Sequence, residues 1–301
     1  MKNLRHLCLG ASLGILLVAS ACGGSGASGG SPTSPTSGST TGPTAGSASL
    51  GFRFTADAGV RLTQEFQPSP LVVNGAVYLY LSGGSNSVLQ TADGLTFTSV
   101  PASYPPGSSR SFVTLPDGRF RMYYFNPGSA QMLSALSSDG RNWTADAGIR
   151  MTLNVFAVPK VVAAPGGYRV YYTGGNGPIL SAFSSDGLTF TADAGNRLTA
   201  NSSFSWGDPA VIKTGSQWLM LVTDLPNNQS FSSIWLASSP DGLAWTLDSK
   251  PIITDSGGSP VDAAFLPISN GYRIYYGVVI GASAGAANPN TKILSGILSP
   301  G

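Results

Sequence analysis

One phrase recurs along the chain and constrains the fold more than any other feature of the sequence. It reads Phe-Thr-Ala-Asp-Ala-Gly at 54–59 and 190–195 and Trp-Thr-Ala-Asp-Ala-Gly at 143–148. A shorter, altered copy, Trp-Thr-Leu-Asp, lies at 245–248. Asp-Gly pairs stand upstream of most copies, at 93–94, 139–140, 186–187 and 241–242. Glycine accepts the positive φ of a tight hairpin, so each pair indicates a turn between two strands. The repetition therefore indicates copies of one β-rich unit.

A second phrase, aromatic and alternating, supplies the centre of each unit. It occurs five times, at 77–81, 120–124, 168–172, 218–222 and 272–276. Alternation of this kind predicts a β-strand, and a β-rich run lies before and after each copy. Each unit thus reads as four short strands with a period of roughly 45 to 55 residues, which is the range of propeller blades. The fold class predicted is all-β.

The two ends of the chain predict how the ring closes. The fifth unit stops at residues 292–298, which match a third strand, and it lacks an outer strand. A spare strand lies at the other end, at residues 52–57. Adding it to the last blade would remove the open edge that a broken ring leaves. We therefore predict, over residues 50–301, a five-bladed β-propeller of four-stranded antiparallel blades, closed by residues 51–59.

The first 21 residues have the anatomy of an export signal. Lys2 and Arg5 precede an uncharged apolar stretch at 7–19 that is shorter than the ~20 residues of a membrane span. The small residues 19–21 and Cys22 resemble the bacterial lipobox. That resemblance implies cleavage before Cys22, acylation of its thiol and amine, and attachment to a lipid bilayer. The alternative is an ordinary cleaved signal with an incidental cysteine.

Residues 22–49 are predicted to be a tether between Cys22 and the propeller. Residues 23–49 contain only Gly, Ser, Thr, Pro and Ala, which cannot offset the entropy of ordering. As a coil, they would span about 30 Å. The expected location is extracytoplasmic and lipid-anchored. Gly23, in place of the Asp associated with inner-membrane retention, favours the outer membrane if the cell has one.

Composition excludes several classes of function. Both cysteines, Cys8 and Cys22, and the single histidine, His6, precede the propeller, so zinc sites and His-dependent triads are excluded there. Of 16 Lys and Arg residues, two lie in the leader, which leaves 14 against 14 Asp and Glu. Near neutrality argues against nucleic acid as a partner. No cofactor or metal is expected, since no clustered Asp motif supports calcium.

Residues that break the repeat lie where the chain enters the inner strand of each blade. In a propeller these loops form the mouth of a central channel, so the residues converge by topology. The candidates are the carboxylates Glu65, Asp208 and Asp262, the arginine Arg110, and the aromatic residues Phe66, Phe156 and Trp206.

The segments at 206–211, 218–220 and 238–245 resemble blades of the five-bladed glycoside hydrolases, the arabinanase, xylosidase and invertase group. The resemblance implies catalytic carboxylates on different inner strands. Glu65, the sole glutamate, would be the general acid, Asp208 the base or nucleophile, and Asp262 the group that orients it. Trp206, Phe156 and Phe66 would form an apolar platform for a sugar ring, and Arg110 would bind a carboxylate or hydroxyl pair. The Ser-x-Asp-Gly-x-x-Trp/Phe phrase is similar to the Asp-box of sialidases, but it is one residue shorter.

Three functions follow from these observations. The first prediction is a propeller that binds carbohydrate or another envelope ligand at its mouth without catalysis, because propellers are widely used for binding. The alternative is a glycoside hydrolase using Glu65, Asp208 and Asp262. The third is a structural or protein-interaction envelope lipoprotein.

The repeated arginines Arg61, Arg150 and Arg197 are expected to form surface pairs with the repeated aspartates.

Overall fold

The computed structural model describes residues 49–82, 87–154, 156–215, 217–228, 230–255, 257–281 and 290–301. The predicted leader, the acylated Cys22 and the tether up to residue 48 lie outside the described residues. The described part of the chain consists of strands, turns and loops, and it contains no α-helix. No helix there is long and apolar enough to cross a membrane.

The strands form five antiparallel sheets, each one blade. Blade 1 holds β3 (Ser69–Val73), β4 (Ala76–Tyr80), β5 (Ser87–Thr91) and β6 (Thr98–Pro101). Blade 2 holds β7 (Ser108–Thr114), β8 (Phe120–Asn126), β9 (Gln131–Ser137), β10 (Thr144–Ala145) and the short β11 (Met151–Thr152). Blade 3 holds β12 (Lys160–Ala164), β13 (Gly167–Thr173), β14 (Ile179–Ser184) and β15 (Thr191–Ala192). Blade 4 holds β16 (Phe204–Thr214), β17 (Gln217–Pro226), β18 (Ile234–Ser239) and β19 (Thr246–Leu247). Blade 5 holds β20 (Gly258–Ile268), β21 (Gly271–Ile280), β22 (Thr291–Pro300), β1 (Phe52–Ala56) and the short β2 (Leu62–Thr63).

The inner strands close a ring around a central channel. β3, β7, β12, β16 and β20 contact one another in that order, and β20 returns to β3. The N-terminal strand β1 pairs with β22, with Phe52 opposite Pro300 and Ala56 opposite Gly296. Phe54 packs edge-on against Tyr276, with ring centroids 5.9 Å apart. The predicted five-bladed propeller and its closure by the N-terminal strand are confirmed.

The repeated aspartate holds the strands of its own blade together. The carboxylates of Asp57, Asp146 and Asp193 accept hydrogen bonds from serine hydroxyls on the third strand, each at 2.6 Å. They also pair with an arginine of the second strand; the arginines are Arg273, Arg121 and Arg169, respectively. The repeat is therefore scaffold, as turn and blade chemistry predicts.

The expectation for the other repeated arginines is wrong. Arg61, Arg150 and Arg197 donate to the main-chain carbonyls of the alanine three residues earlier, rather than to the repeated aspartates. Arg150 is 7% exposed and Arg197 is 5% exposed, so these side chains lie inside the blade edge. The repeated aspartates are already bound to the arginines of the second strand, which leaves the carbonyls as acceptors.

Tyrosines latch consecutive blades to one another. The hydroxyls of Tyr80, Tyr123, Tyr171 and Tyr275 each donate to the carbonyl of an Asp-Gly glycine in the next blade. Two separate constraints require glycine at this position, as Gly187 shows. Its φ of +72° is unfavourable for other residues, and an added Cβ would lie 2.5 Å from the Tyr123 hydroxyl. The Asp-Gly pair is thus both a turn and a blade contact.

Candidate functional site

One residue near the start of each inner strand, either two positions before it or among its first five residues, has a left-handed backbone. The five residues and their φ values are Gln67 (52°), Ser109 (52°), Val158 (42°), Asp208 (51°) and Asp262 (52°). Such values are uncommon outside glycine, and for a β-branched residue such as valine they are outliers. In blades 2, 4 and 5 the strand register shifts here, which is the mark of a β-bulge. Bulges and strained backbone concentrate at functional sites, and bulges re-aim side chains. The five equivalent positions ring the mouth of the channel.

Two members of this ring, Asp208 and Asp262, bring their carboxyl groups close enough together for each to shift the pKa of the other. The backbone N–H and the carboxyl of Asp262 both lie close enough to the Asp208 carboxyl to favour its ionised form. The Gln67 side chain lies beside Asp262 and favours its ionised form. The Thr223 hydroxyl lies beside Asp208, although it makes no hydrogen bond of normal geometry. Both aspartates keep partial access to solvent.

The surroundings of this pair assign the proton to Asp262. Burial raises the pKa of Asp262 well above its ordinary value, and the charge of Asp208 raises it further. Burial also raises the pKa of Asp208, but the N–H and the carboxyl of Asp262 beside it oppose that effect. Two neighbouring carboxyls cannot both ionise easily, so Asp262 is the one that keeps its proton more readily.

Lys160 lies close to the carboxyl pair and is the first residue of β12. Its Nζ donates to the carbonyl oxygen of Arg110 at 2.9 Å and to Ser69 Oγ at 3.3 Å. Burial lowers the pKa of Lys160 to about 8, against the opposing effect of the charges on Asp262 and Asp208. Sequence reasoning missed Lys160 and Gln67. Aligning the blades would have revealed both residues, because they lie near the starts of inner strands, as Asp208 and Asp262 do.

Below the ring, the inner strands enclose a cavity of about 350 Å³. Its upper wall is polar and includes Ser69, Ser111 and Lys160. Its lower wall is apolar and includes Val72, Val162, Ile212, Leu266 and Pro267. This volume lies at the small end of the range for ligand sites in proteins.

Glu65 lies on the side of the mouth formed by blades 1 and 2. Burial raises its pKa, and its charge in turn raises the pKa of Tyr104. The Tyr104 ring stands 4.9 Å from the guanidinium of Arg110. Glu65 therefore neighbours Tyr104, while Gln67, two residues later in the same loop, reaches Asp262.

The predicted ligand-binding residues divide into exposed and interior groups. Phe66 is 41% exposed and Phe156 is 57% exposed, and both lie in loops at the mouth. Arg110 is 2% exposed and donates to the carbonyl oxygens of Leu81 and Pro105 at 2.8 and 3.4 Å. Trp206 is 3% exposed, and its ring packs between Phe204 and Trp235. The placement of Arg110 and Trp206 does not support ligand contacts, because the protein interior occupies both side chains.

Replacing Asp262 with asparagine should remove a pH-dependent destabilisation. The raised pKa means that the folded protein binds more protons than the unfolded chain between the ordinary carboxyl pKa of about 3.9 and the folded value. Stability conferred by Asp262 is therefore fully present below the unfolded pKa and is lost as pH rises through the folded pKa. Asparagine cannot lose a proton, so Asp262→Asn should melt increasingly above the parent protein as pH rises from about 4 to 8. Each pKa unit corresponds to about 1.4 kcal/mol, or roughly 3–6 °C in a domain of this size.

Thermal melts of both proteins across this pH range check the expectation. The matched control is Asp117→Asn, which removes an exposed carboxylate paired with Arg119 on the hairpin between β7 and β8. A difference between Asp262→Asn and the parent that does not change with pH would contradict the assignment of the proton.

The sequence matches no protein-family model, and no curated protein matches it. Solved structures do match. An endo-1,4-beta-xylanase from Bacteroides thetaiotaomicron superposes with a TM-score of 0.63 at 12% identity, covering 80% of this chain and 98% of that one. A thermostable family-43 glycoside hydrolase gives 0.60 at 14% identity over 80% and 91%. An alpha-L-arabinofuranosidase from Lactobacillus brevis gives 0.56 at 14% over 78% and 91%. This likeness confirms the resemblance seen in the blades: the chain has the five-bladed propeller fold of the arabinanase and xylosidase type of glycoside hydrolase.

Proposed function

We propose that the propeller is a glycoside hydrolase that cleaves a glycan bound at the channel mouth. The observation that carries the proposal is the Asp208–Asp262 pair on two adjacent inner strands, where burial raises the pKa of both carboxyls and the charge of Asp208 raises that of Asp262 further. Glycosidases need both protonation states in one site. The similar solved structures are named as a xylanase, an arabinofuranosidase and a β-1,3-galactosidase, and these names support the same class of reaction.

Each carboxyl has a role that its surroundings favour. Asp208 is the base or nucleophile, because the neighbouring N–H and carboxyl of Asp262 and the charge of Lys160 favour its ionised form. Asp262 keeps its proton and orients Asp208. Glu65 is the general acid, since burial raises its pKa and so favours the protonated form that donates to the leaving oxygen. Hydrolysis requires the carboxyls of Glu65 and Asp208 to stand about 5–10 Å apart around the bound sugar. The exposed rings of Phe66 and Phe156 offer apolar surface to that sugar.

The test is a screen of the purified protein against aryl glycosides and polysaccharides, followed by variants on the best substrate. Asp208→Asn should lower kcat/KM by about 10³-fold or more, because it removes the attacking or water-activating charge. Glu65→Gln should lower it by roughly 10²–10⁴-fold. Substrates whose leaving group needs no proton should be spared in Glu65→Gln. Asp117→Asn, far from the mouth, should match the parent protein.

A second candidate, glycan binding without catalysis, is favoured by one observation. Burial is the cause of the raised pKa of Glu65, and no charge of Asp208 or Asp262 adds to it, which is the pattern of a carboxyl that stands apart from the pair. Binding without catalysis was the first prediction from the sequence. The fold shared with the similar structures favours the alternative, a hydrolase. Polysaccharide retention that Asp208→Asn weakens, with no turnover by the parent protein, would select binding and refute hydrolysis.

A further inference from the structure

Two basic residues, Arg110 and Lys160, are among the described residues that line the channel cavity. Of these two, only Lys160 carries an amine. We propose that this amine condenses with small aldehydes entering the channel to form an imine, so that the channel is a covalent site for carbonyl compounds. The site takes a small ligand, because the cavity of about 350 Å³ is at the small end of the range for ligand sites and its lower wall is apolar. The proposal does not depend on glycan hydrolysis.

The geometry at Nζ prepares the amine for attack. An ammonium group has three N–H donors, and two of those at Lys160 are bound to Arg110 O and Ser69 Oγ. The two contacts fix the position of the nitrogen and leave its third position free. When Lys160 loses a proton, that position carries the lone pair. Because Lys160 is partly open to solvent and lines the cavity, a small molecule there can reach it.

The charges that face Lys160 do not lock it in an ion pair. Asp208 and Asp262 act on it from blades 4 and 5, and the Arg110 guanidinium acts on it from blade 2. Among the described residues, none of the carboxylates comes within 4 Å of Nζ as a salt-bridge partner. Burial outweighs the two negative charges and lowers the pKa of Lys160 to about 8. A fraction near a tenth is thus neutral at pH 7, against less than about a thousandth for an ordinary lysine.

The condensation balances without an oxidant or reductant. The neutral amine attacks the carbonyl carbon, a C–N bond forms, and a proton moves from nitrogen to oxygen to give a carbinolamine. Its hydroxyl then takes a proton, the C–O bond breaks, and water leaves as the C=N bond of an iminium ion forms. The nitrogen returns its proton to the acid to give the imine. Asp262, which holds a proton beside the same end of the channel, is the acid available for that step.

Reductive trapping with glycolaldehyde and sodium cyanoborohydride tests the proposal on the full chain. The borohydride reduces the imine to a stable secondary amine, which peptide mass spectrometry locates. We expect Lys160 to be labelled tenfold or more faster than the exposed Lys250 at pH 7. Its rate should level off above about pH 8, while the rate at Lys250 should keep rising with pH.

Two controls separate the channel site from general reactivity. Oxidised dextran carries aldehydes that are too large for the channel, so it should label Lys250 and spare Lys160. Lys160→Arg keeps the charge and cannot form an imine, and it should lose the fast-labelled peptide while retaining the melting temperature of the parent protein. Labelling of Lys160 no faster than Lys250, or a rate at Lys160 that keeps rising to pH 10, would overturn the proposal.

Discussion

A chain that begins at residue 58 should melt at least 10 °C below one that begins at residue 49, or should lose its cooperative transition. The shorter chain lacks β1 and with it five residue pairs to β22. It also loses the Phe54–Tyr276 contact and the contacts of Asp57 with Ser295 and Arg273. Losing one large aromatic side chain from a core costs about 3–5 kcal/mol, and each kcal/mol is worth roughly 2–4 °C here. Calorimetry on both chains measures the difference.

A single substitution tests the same closure without shortening the chain. A Cβ added at Gly296 would lie 2.4 Å from the Phe54 ring, so Gly296→Ala should displace that ring and lower the melting temperature in part. Gly175→Ala is the matched control, because nothing lies within 4 Å of its added Cβ. Equal melting temperatures for the two chains that begin at residues 49 and 58 would show that β1 does not close the ring.

Tyr171→Ala should destabilise the contact between blades 3 and 4 by about 3–5 kcal/mol, which is roughly 6–20 °C in melting temperature. Tyr171 is fully buried, and its ring packs edge-on against Trp245 with centroids 5.7 Å apart. Its hydroxyl donates to the Gly242 carbonyl at 2.8 Å. Alanine would leave a cavity between the blades and remove one of the two hydrogen bonds that the Gly242 carbonyl accepts; the other comes from Trp245 Nε1 at 3.1 Å. Denaturant titration, which gives the free energy of unfolding directly, measures the loss.

Tyr171→Phe divides this loss into its two parts. It keeps the ring and removes only one hydrogen bond, and the Gly242 carbonyl keeps the bond from Trp245 Nε1, so the change should cost about 0.5–1.5 kcal/mol. If Tyr171→Phe costs as much as Tyr171→Ala, the latch acts through the hydroxyl and not through packing. If neither variant shifts the unfolding curve, the blade contact described here does not stabilise the propeller.

The fold could be predicted from the sequence because its signals are local and repeated. Asp-Gly turns and alternating aromatic runs each depend on only a few neighbouring residues. Because the unit is repeated five times, a wrong strand assignment in one copy can be corrected from the others. Closure by β1 followed from counting strands, since the fifth unit lacked one. The burial of Arg150 and Arg197 could not be read in this way, because it depends on which acceptors the neighbouring strand has already filled.

The site was predictable in its location and less so in its contents. Topology alone brings Asp208 and Asp262 to one mouth. A side chain beside an inner strand, however, points either into the channel or between two blades, and a bulge decides which. Asp208 has a left-handed backbone in a bulge, whereas Trp206, two residues earlier, lies between aromatic rings. Lys160 gave no signal as a single residue, since a lysine in a short strand is ordinarily exposed.

Residue 51 and the channel mouth lie at opposite ends of blade 5. β1 begins beside Pro300, where β22 ends, while the mouth lies where β20 begins and β21 ends. Tension between a ligand held in the mouth and anything attached upstream of residue 49 would run along the axis of β1. Its residue pairs with β22 would then be loaded in shear, all together, rather than peeled apart one at a time. The strand that closes the ring is thus also placed to carry mechanical load.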